Sequence, residues 1–377
     1  MAWVGAFVAV LLIGGILLDA FEVVILPRRV RHSFRLARHF YRTAWIFWRW
    51  LARLLPSGKW RQAHLSVFGP LSLIVLLALW AAGLVLGFAF LHWSLNTALS
   101  GEDSSFPTYV YFSGTTFFTL GYGDVVPRGA WGRALSVAES GLGFGFLALV
   151  LSYLPVLHQA FSRREIAISL LDARAGSPPC AGELLRRLAD CTQQASTAPF
   201  LQEWERWAAE LLESHLSFPV LSYYRSQHEN QSWVGALTTI LDTTALLLAS
   251  GENRDRYQAR LTFAMARHAA VDLAPLHPWP LPDTSERLSQ AELSRLWDLL
   301  RAVGQPLPDT TIATQTLAEL RGLYEPFVKV LAMHYEFVLP AFLPLQASVD
   351  NWQTSPWLPR SPGLTDLPAS HVEQDHF

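Results

Sequence analysis

Thr119-Leu120-Gly121-Tyr122-Gly123-Asp124 is the stretch on which the reading of this chain turns. It closes an aromatic, hydroxyl-rich run that starts near Phe106, and it lies between two apolar segments long enough to cross a bilayer. Alternating glycines admit backbone conformations closed to residues with a Cβ, so neighbouring carbonyls can turn toward one side. The carbonyls of Thr119, Leu120, Gly121 and Tyr122, with the Thr119 hydroxyl, then supply a column of oxygens of the kind that replaces the water around a cation. Leu120 and Tyr122 point outward as anchors. A Gly-Tyr-Gly turn arising by chance needs neither the flanking spans nor the threonine-rich approach.

Working outward, Asp124, Pro127, Trp131, Gly132 and Arg133 follow without a gap, and Tyr111 and Phe112 precede. In these residues the region from about 65 to 165 resembles the pore module of the tetrameric potassium channels, most closely the simple two-helix bacterial type. The resemblance implies an all-α membrane protein: outer helix 67–91, pore helix 106–118, filter 119–124 and inner helix 131–157, within a pore domain over 65–160. It implies K+ held at Thr119, Leu120, Gly121 and Tyr122, and cations drawn to the mouth by Asp124. Tyr111 and Phe112 form a cuff around the filter, and Gly143 falls at the hinge of the inner helix. One filter loop per chain supplies a quarter of an oxygen ring, which makes the expected assembly a homotetramer. Three departures from the family pattern involve four positions. Leu120 stands where a β-branched residue is usual. Thr115 takes the place of a glutamate that bonds the aspartate after the filter, so Asp124 needs another partner. Phe117 and Phe118 make the base of the pore helix bulkier.

The remainder of the 377 residues divides by composition. Mean hydropathy is +0.22 and only 16% of residues are charged, which fits neither a wholly soluble enzyme nor a bundle buried in lipid. Residues 1–26 read as a first membrane helix, without the basic start and small-residue cleavage site of a signal peptide. Arginines and a lysine, but no acid, occupy 28–61, placing that segment in the cytoplasm and the amino terminus outside. The acid-tolerant stretch 96–108 lacks lysine and arginine, and Arg163-Arg164 follows the third span; both agree with a multi-pass protein of the cell membrane whose carboxyl terminus is cytoplasmic.

Within the basic segment 27–64, Arg31, Arg35, Arg38, Arg42, Arg49 and Arg53 share one helical side, beside a stripe of Phe34, Tyr41, Trp45 and Trp48. The pattern fits a helix lying in the interface, arginines on anionic lipid phosphates and aromatic rings at headgroup depth. Tethering between two spans disfavours nucleic acid as partner. Asp19 and Glu22 share a face of the first span; an ion pair with Arg28, Arg29 or the arginine stripe is weighed against an ion-relay role. Glu139, two turns into the inner helix, is expected to hydrogen-bond Ser113 or Thr116 as a partly protonated carboxyl supporting the filter, or else to present charge to the cavity. Gly143 serves bending or close helix packing.

Beyond 160, amphipathic periods interrupted by glycine and proline predict an α-helical cytoplasmic domain over 161–346, then a proline-rich tail, 347–377, without periodicity. No G-x-G-x-x-G fingerprint, no calcium loop and no zinc spacing with Cys180 and Cys191 occurs, so no cofactor is implied beyond the permeant K+. No catalytic constellation is legible, and the chain reads as not an enzyme. His215, Tyr223, Tyr224, Arg225, His228 and Glu229 form a polar, aromatic, non-periodic stretch, read as a helix-connecting loop or a ligand site. The expected function is a potassium-selective channel whose cytoplasmic domain assembles or gates it. The alternatives are a non-conducting membrane-anchored sensor or scaffold, and a poorly selective cation channel.

Overall fold

Among the described residues, three helices carry the length and apolarity to cross a membrane: α1 (Ala2–Val24), α3 (Lys59–Ser94) and α5 (Ala130–Ala175). In the computed structural model the described residues are 2–25, 36–56, 58–100, 105–191, 196–228, 230–251, 254–275, 286–302, 304, 307 and 309–344. Arg31, Arg35, Phe34, the first-span neighbours Arg28 and Arg29, Glu229 and the tail 347–377 lie outside them. All regular structure among the described residues is helical, with one isolated bridge, Leu99 to Pro127. The chain is a helical membrane protein carrying a further helical region.

Contacts divide the chain into two units. The first holds residues 1–159 together with 216–224; the second holds 160–215 and 225–377. In the first unit, α1 packs along α3, where Ala9, Ile13 and Ile16 meet a surface of Leu84, Gly83 and Gly87. Small residues let the two helices approach closely, which is how helices associate when lipid is as apolar as their side chains.

Asp19 joins three elements of this unit. Its carboxylate accepts the Trp80 indole N–H of α3 at 3.0 Å and the Ala37 backbone N–H at 3.1 Å. Ala37 lies in the first turn of α2 (Leu36–Leu54), so the acid caps that helix where its amides are unpaired and its dipole is positive. The described partners are therefore an indole and a helix terminus. Asp19→Ala is expected to leave both donors unpaired, at about 1–3 kcal/mol each. Asp19→Asn, which keeps an acceptor, should lose less. The unfolding midpoint of the detergent-solubilised protein measures both.

On α2, Arg38, Arg42 and Arg53 are exposed and Arg49 is half-buried. The expected aromatic stripe turns the other way. Trp45 is buried, and Tyr41 and Trp48 pack inward; the exposed apolar residues of α2 include Ile46, Phe47, Trp50 and Leu54. What draws the rings inward is a short 3₁₀ turn, Pro219–Tyr223, far along the sequence. Tyr223 stacks on Tyr41 at 5.9 Å and lies edge-on to Trp45 and Phe68 at 5.2 and 5.1 Å. Phe218 meets Tyr153 of α5 at 5.5 Å. Such ring pairs contribute about 0.5–1.5 kcal/mol each beyond the area they bury.

α5 is a single helix of 46 residues, continuing to Ala175 past the expected end near 157 and through Pro155. The second unit has α6 (Ala181–Cys191), α7 (Ala198–Ser217, its last turn passing into the first unit), α8 (Trp233–Ala249), α9 (Arg256–Leu273), α10 (Gln290–Ala302), α11 (Thr310–Gly322) and α12 (Glu325–Tyr335). Every residue of α8 is buried. At 17 residues it is an apolar core helix, too short for a span. Its single acid, Asp242, accepts from Arg287 at 2.7 Å and from the Tyr324 hydroxyl at 2.5 Å, which pairs the buried charge.

Candidate functional site

The pore-type loop is assembled by α4 (Phe106–Phe117), which Pro107 starts and whose carbonyl end points into 119–124. Phe118 N–H bonds the Gly114 carbonyl at 3.1 Å and Thr119 N–H the Thr116 carbonyl at 3.1 Å. The Thr115 carbonyl accepts Leu120 N–H at 2.8 Å and Gly121 N–H at 3.3 Å. The ribbon thus caps the helix that delivers it. The negative end of the α4 dipole lies where the ribbon begins, a placement that favours a cation.

Along the ribbon, φ is +55° at Thr119, +58° at Gly121 and +79° at Gly123. The two glycines take the left-handed region freely; Thr119, β-branched, is strained there by about 1–2 kcal/mol. Every second residue is turned, and such alternation permits amides on one side and carbonyls on the other. All six residues are exposed within the single chain, Leu120 and Tyr122 to 55% and 69%.

Past the ribbon, Asp124 accepts from the Tyr111 hydroxyl at 2.7 Å, which supplies the partner that Thr115 does not. That hydrogen bond holds the Asp124 carboxyl below its usual range. Ser100 and Val126 exchange bonds, Ser100 N–H to the Val126 carbonyl and Val126 N–H to Ser100 Oγ, both at 2.8 Å. Arg128 N–H reaches the Ala98 carbonyl at 2.9 Å, and the Tyr109 hydroxyl donates to the Thr97 carbonyl at 2.9 Å. The loop after α3 therefore grips the exit of the ribbon.

Behind α4, Ser113 on the pore helix hydrogen-bonds Glu139 of α5 and donates toward the Val85 carbonyl of α3 at 2.8 Å. His92 of α3 sets its Nε2 3.4 Å from the other Glu139 oxygen and its Nδ1 3.3 Å from the Thr97 hydroxyl. Phe112 presents its ring edge-on to His92 at 5.2 Å. Ser113, Glu139 and His92 have no exposed surface. Gly143 lies against the end of α4: a Cβ there would sit 1.9 Å from the Phe117 carbonyl oxygen, whereas Gly141 and Gly145 have nothing within 4 Å.

Thr115, Tyr111, Phe112 and Glu139 thus all lie on or behind α4, while the described arginines of α2 belong to a separate surface. The described residues of the polar stretch include three with partners of their own. His215 faces Arg164 at 3.2 Å, and burial with that guanidinium keeps its imidazole well below the usual range. Arg225 donates to the Tyr335 and Glu336 carbonyls, and Tyr223 joins the ring cluster. His92 escaped the sequence reading. The signal was present, since an ionisable group inside a span calls for a partner, and Glu139 was the acid on the facing helix.

This geometry lies within a stretch that is similar to ion channels. Residues 74–157 match the family model described as "Ion channel", a match that points to ion transport across a membrane rather than to catalysis. Over 264 residues the chain is 26% identical to the uncharacterized membrane protein YdjJ of Bacillus subtilis (strain 168), covering 66% of this chain and 75% of that protein. No solved structure matches.

Proposed function

We propose that the chain is one subunit of a homotetrameric, potassium-selective channel that passes K+ down its gradient through four copies of the 119–124 ribbon. The observation that carries this reading is the ribbon itself: left-handed at every second residue and exposed between two membrane-length helices. K+ sheds its water onto the carbonyls of Thr119, Leu120, Gly121 and Tyr122 and the Thr119 hydroxyl, and moves by knock-on between adjacent sites. Asp124, ionised and aimed by Tyr111, raises the cation concentration at the mouth. Tyr111, Phe112, Thr115 and Glu139 hold the ribbon from behind. Val137, Phe144 and Leu151, each seven residues apart on α5 and more than 60% exposed, supply an apolar stripe that a neighbouring copy covers.

In this reading the mouth faces outward and α2 lies on the cytoplasmic leaflet. Its arginines meet anionic lipid and Phe47, Trp50 and Leu54 enter the headgroup boundary. The second unit serves assembly or gating. The test is K+ flux into liposomes holding the purified protein, with Ba2+ as blocker and Na+ as competitor. Ba2+-sensitive K+ flux that far exceeds Na+ flux is the expected result. Comparable Na+ passage makes it a poorly selective cation channel, and no flux under any condition makes it a membrane-anchored scaffold.

A further inference from the structure

Three helices meet behind the ribbon at one polar point, and each contributes a single side chain. Ser113 comes from α4, His92 from α3 and Glu139 from α5, all without exposed surface. Ser113 has one hydroxyl hydrogen but two oxygens within hydrogen-bond reach, the Val85 carbonyl at 2.8 Å and a Glu139 carboxyl oxygen. Both contacts are hydrogen bonds only when the carboxyl carries the second hydrogen. Glu139 O–H then donates to Ser113, and Ser113 O–H donates to the Val85 carbonyl. On the other side of the carboxyl, His92 Nε2 lies 3.4 Å from Glu139 Oε2 without hydrogen-bond geometry, and His92 Nδ1 shares a hydrogen bond with the Thr97 hydroxyl. The cluster thus runs from His92 on α3 to Glu139 on α5 and Ser113 on α4, and ends on the Val85 carbonyl of α3.

We propose that this Ser113–Glu139–His92 chain is a proton-dependent latch for the pore helix, with His92 as a further positioning residue. Loss of the Glu139 proton leaves a carboxylate in an apolar, membrane-level site. The Ser113 hydrogen turns from Val85 to Glu139, and the tie between α4 and α3 is lost. Because α4 delivers the ribbon and its Thr115 carbonyl holds Leu120 and Gly121, release is transmitted to the carbonyl column. Other titratable or charged groups on the elements around the latch are engaged elsewhere: Tyr109 with the Thr97 carbonyl, Tyr111 with Asp124, and Arg133 with the Pro127 carbonyl.

The functional consequence rests on the channel reading, whereas the latch itself has a readout that does not. Infrared difference spectra of the reconstituted protein across pH should contain a protonated-carboxyl C=O band that disappears at alkaline pH. The band should be absent in Glu139→Gln and displaced in pH by about one unit or more in His92→Asn. In flux measurements, wild-type K+ passage should fall several-fold as pH rises through the midpoint of that band, and Glu139→Gln, which keeps a neutral hydrogen-bonding group, should lose the pH dependence. A wild-type pH profile retained in Glu139→Gln, or no band attributable to Glu139, overturns the latch. Should Glu139→Gln not assemble, an unchanged band midpoint in His92→Asn overturns the part given to His92. Absence of flux with the band present and titrating instead counts against the channel reading alone.

Discussion

Gly121→Ala is expected to abolish K+ flux in reconstituted vesicles while leaving the protein assembled. The residue sits at φ +58°, and a Cβ in that region costs about 1–2 kcal/mol per residue. Four copies of the change in the proposed tetramer sum to about 4–8 kcal/mol, which at about 1.4 kcal/mol per tenfold is a thousandfold or more. The ribbon escapes that cost by rotating its peptide planes, and rotation removes carbonyls from the ion path. Among the described residues of its own chain nothing lies within 4 Å of the new methyl. The expected loss is therefore conformational. Retention of selective K+ flux in this variant would remove the basis for the proposed conduction path.

Gly143→Ala should be comparably severe for a different reason. Its Cβ would sit 1.9 Å from the Phe117 carbonyl oxygen and 2.8 Å from the carbonyl carbon, both backbone atoms that no rotamer change can move. Either α5 withdraws or the end of α4 shifts, and overpacking of this kind costs about 1–3 kcal/mol per copy. Displacement of Phe117 carries Thr119 with it, so K+/Na+ selectivity is expected to fall along with flux, and the purified particle should unfold at lower temperature. Gly141→Ala, with nothing of its own chain nearby, is the contrast. A hinge role for Gly143 predicts altered opening with selectivity intact, so the selectivity measurement separates the two roles left open by the sequence.

The ribbon and its helices were legible because their chemistry is local. Spacing of glycines, a hydroxyl-rich approach and two apolar runs occupy about a hundred consecutive residues. Glu139 was likewise legible as a hydrogen-bonding partner for Ser113, because a carboxyl at that depth needs one. Features that depend on distant residues were not. Arg163-Arg164 was read as an exit from the membrane, yet backbone hydrogen bonding continues through it, so α5 runs to Ala175 rather than stopping near 157. Asp19 was matched to arginines by charge, whereas its described partners are an indole and a helix terminus supplied by two other helices. On α2 the aromatic stripe was assigned to lipid because its partners, Phe68 and Tyr223, are remote in sequence.

The turn at 216–224 bears on how the gene can be divided. A channel-only fragment ended at residue 160 would lack Phe218 and Tyr223, baring the rings of Tyr41, Trp45, Phe68 and Tyr153 that they cover. Chimeras that exchange the carboxyl-terminal half for another domain therefore have to carry this nine-residue insert along, or supply it as a separate peptide. The transplantable cassette is discontinuous.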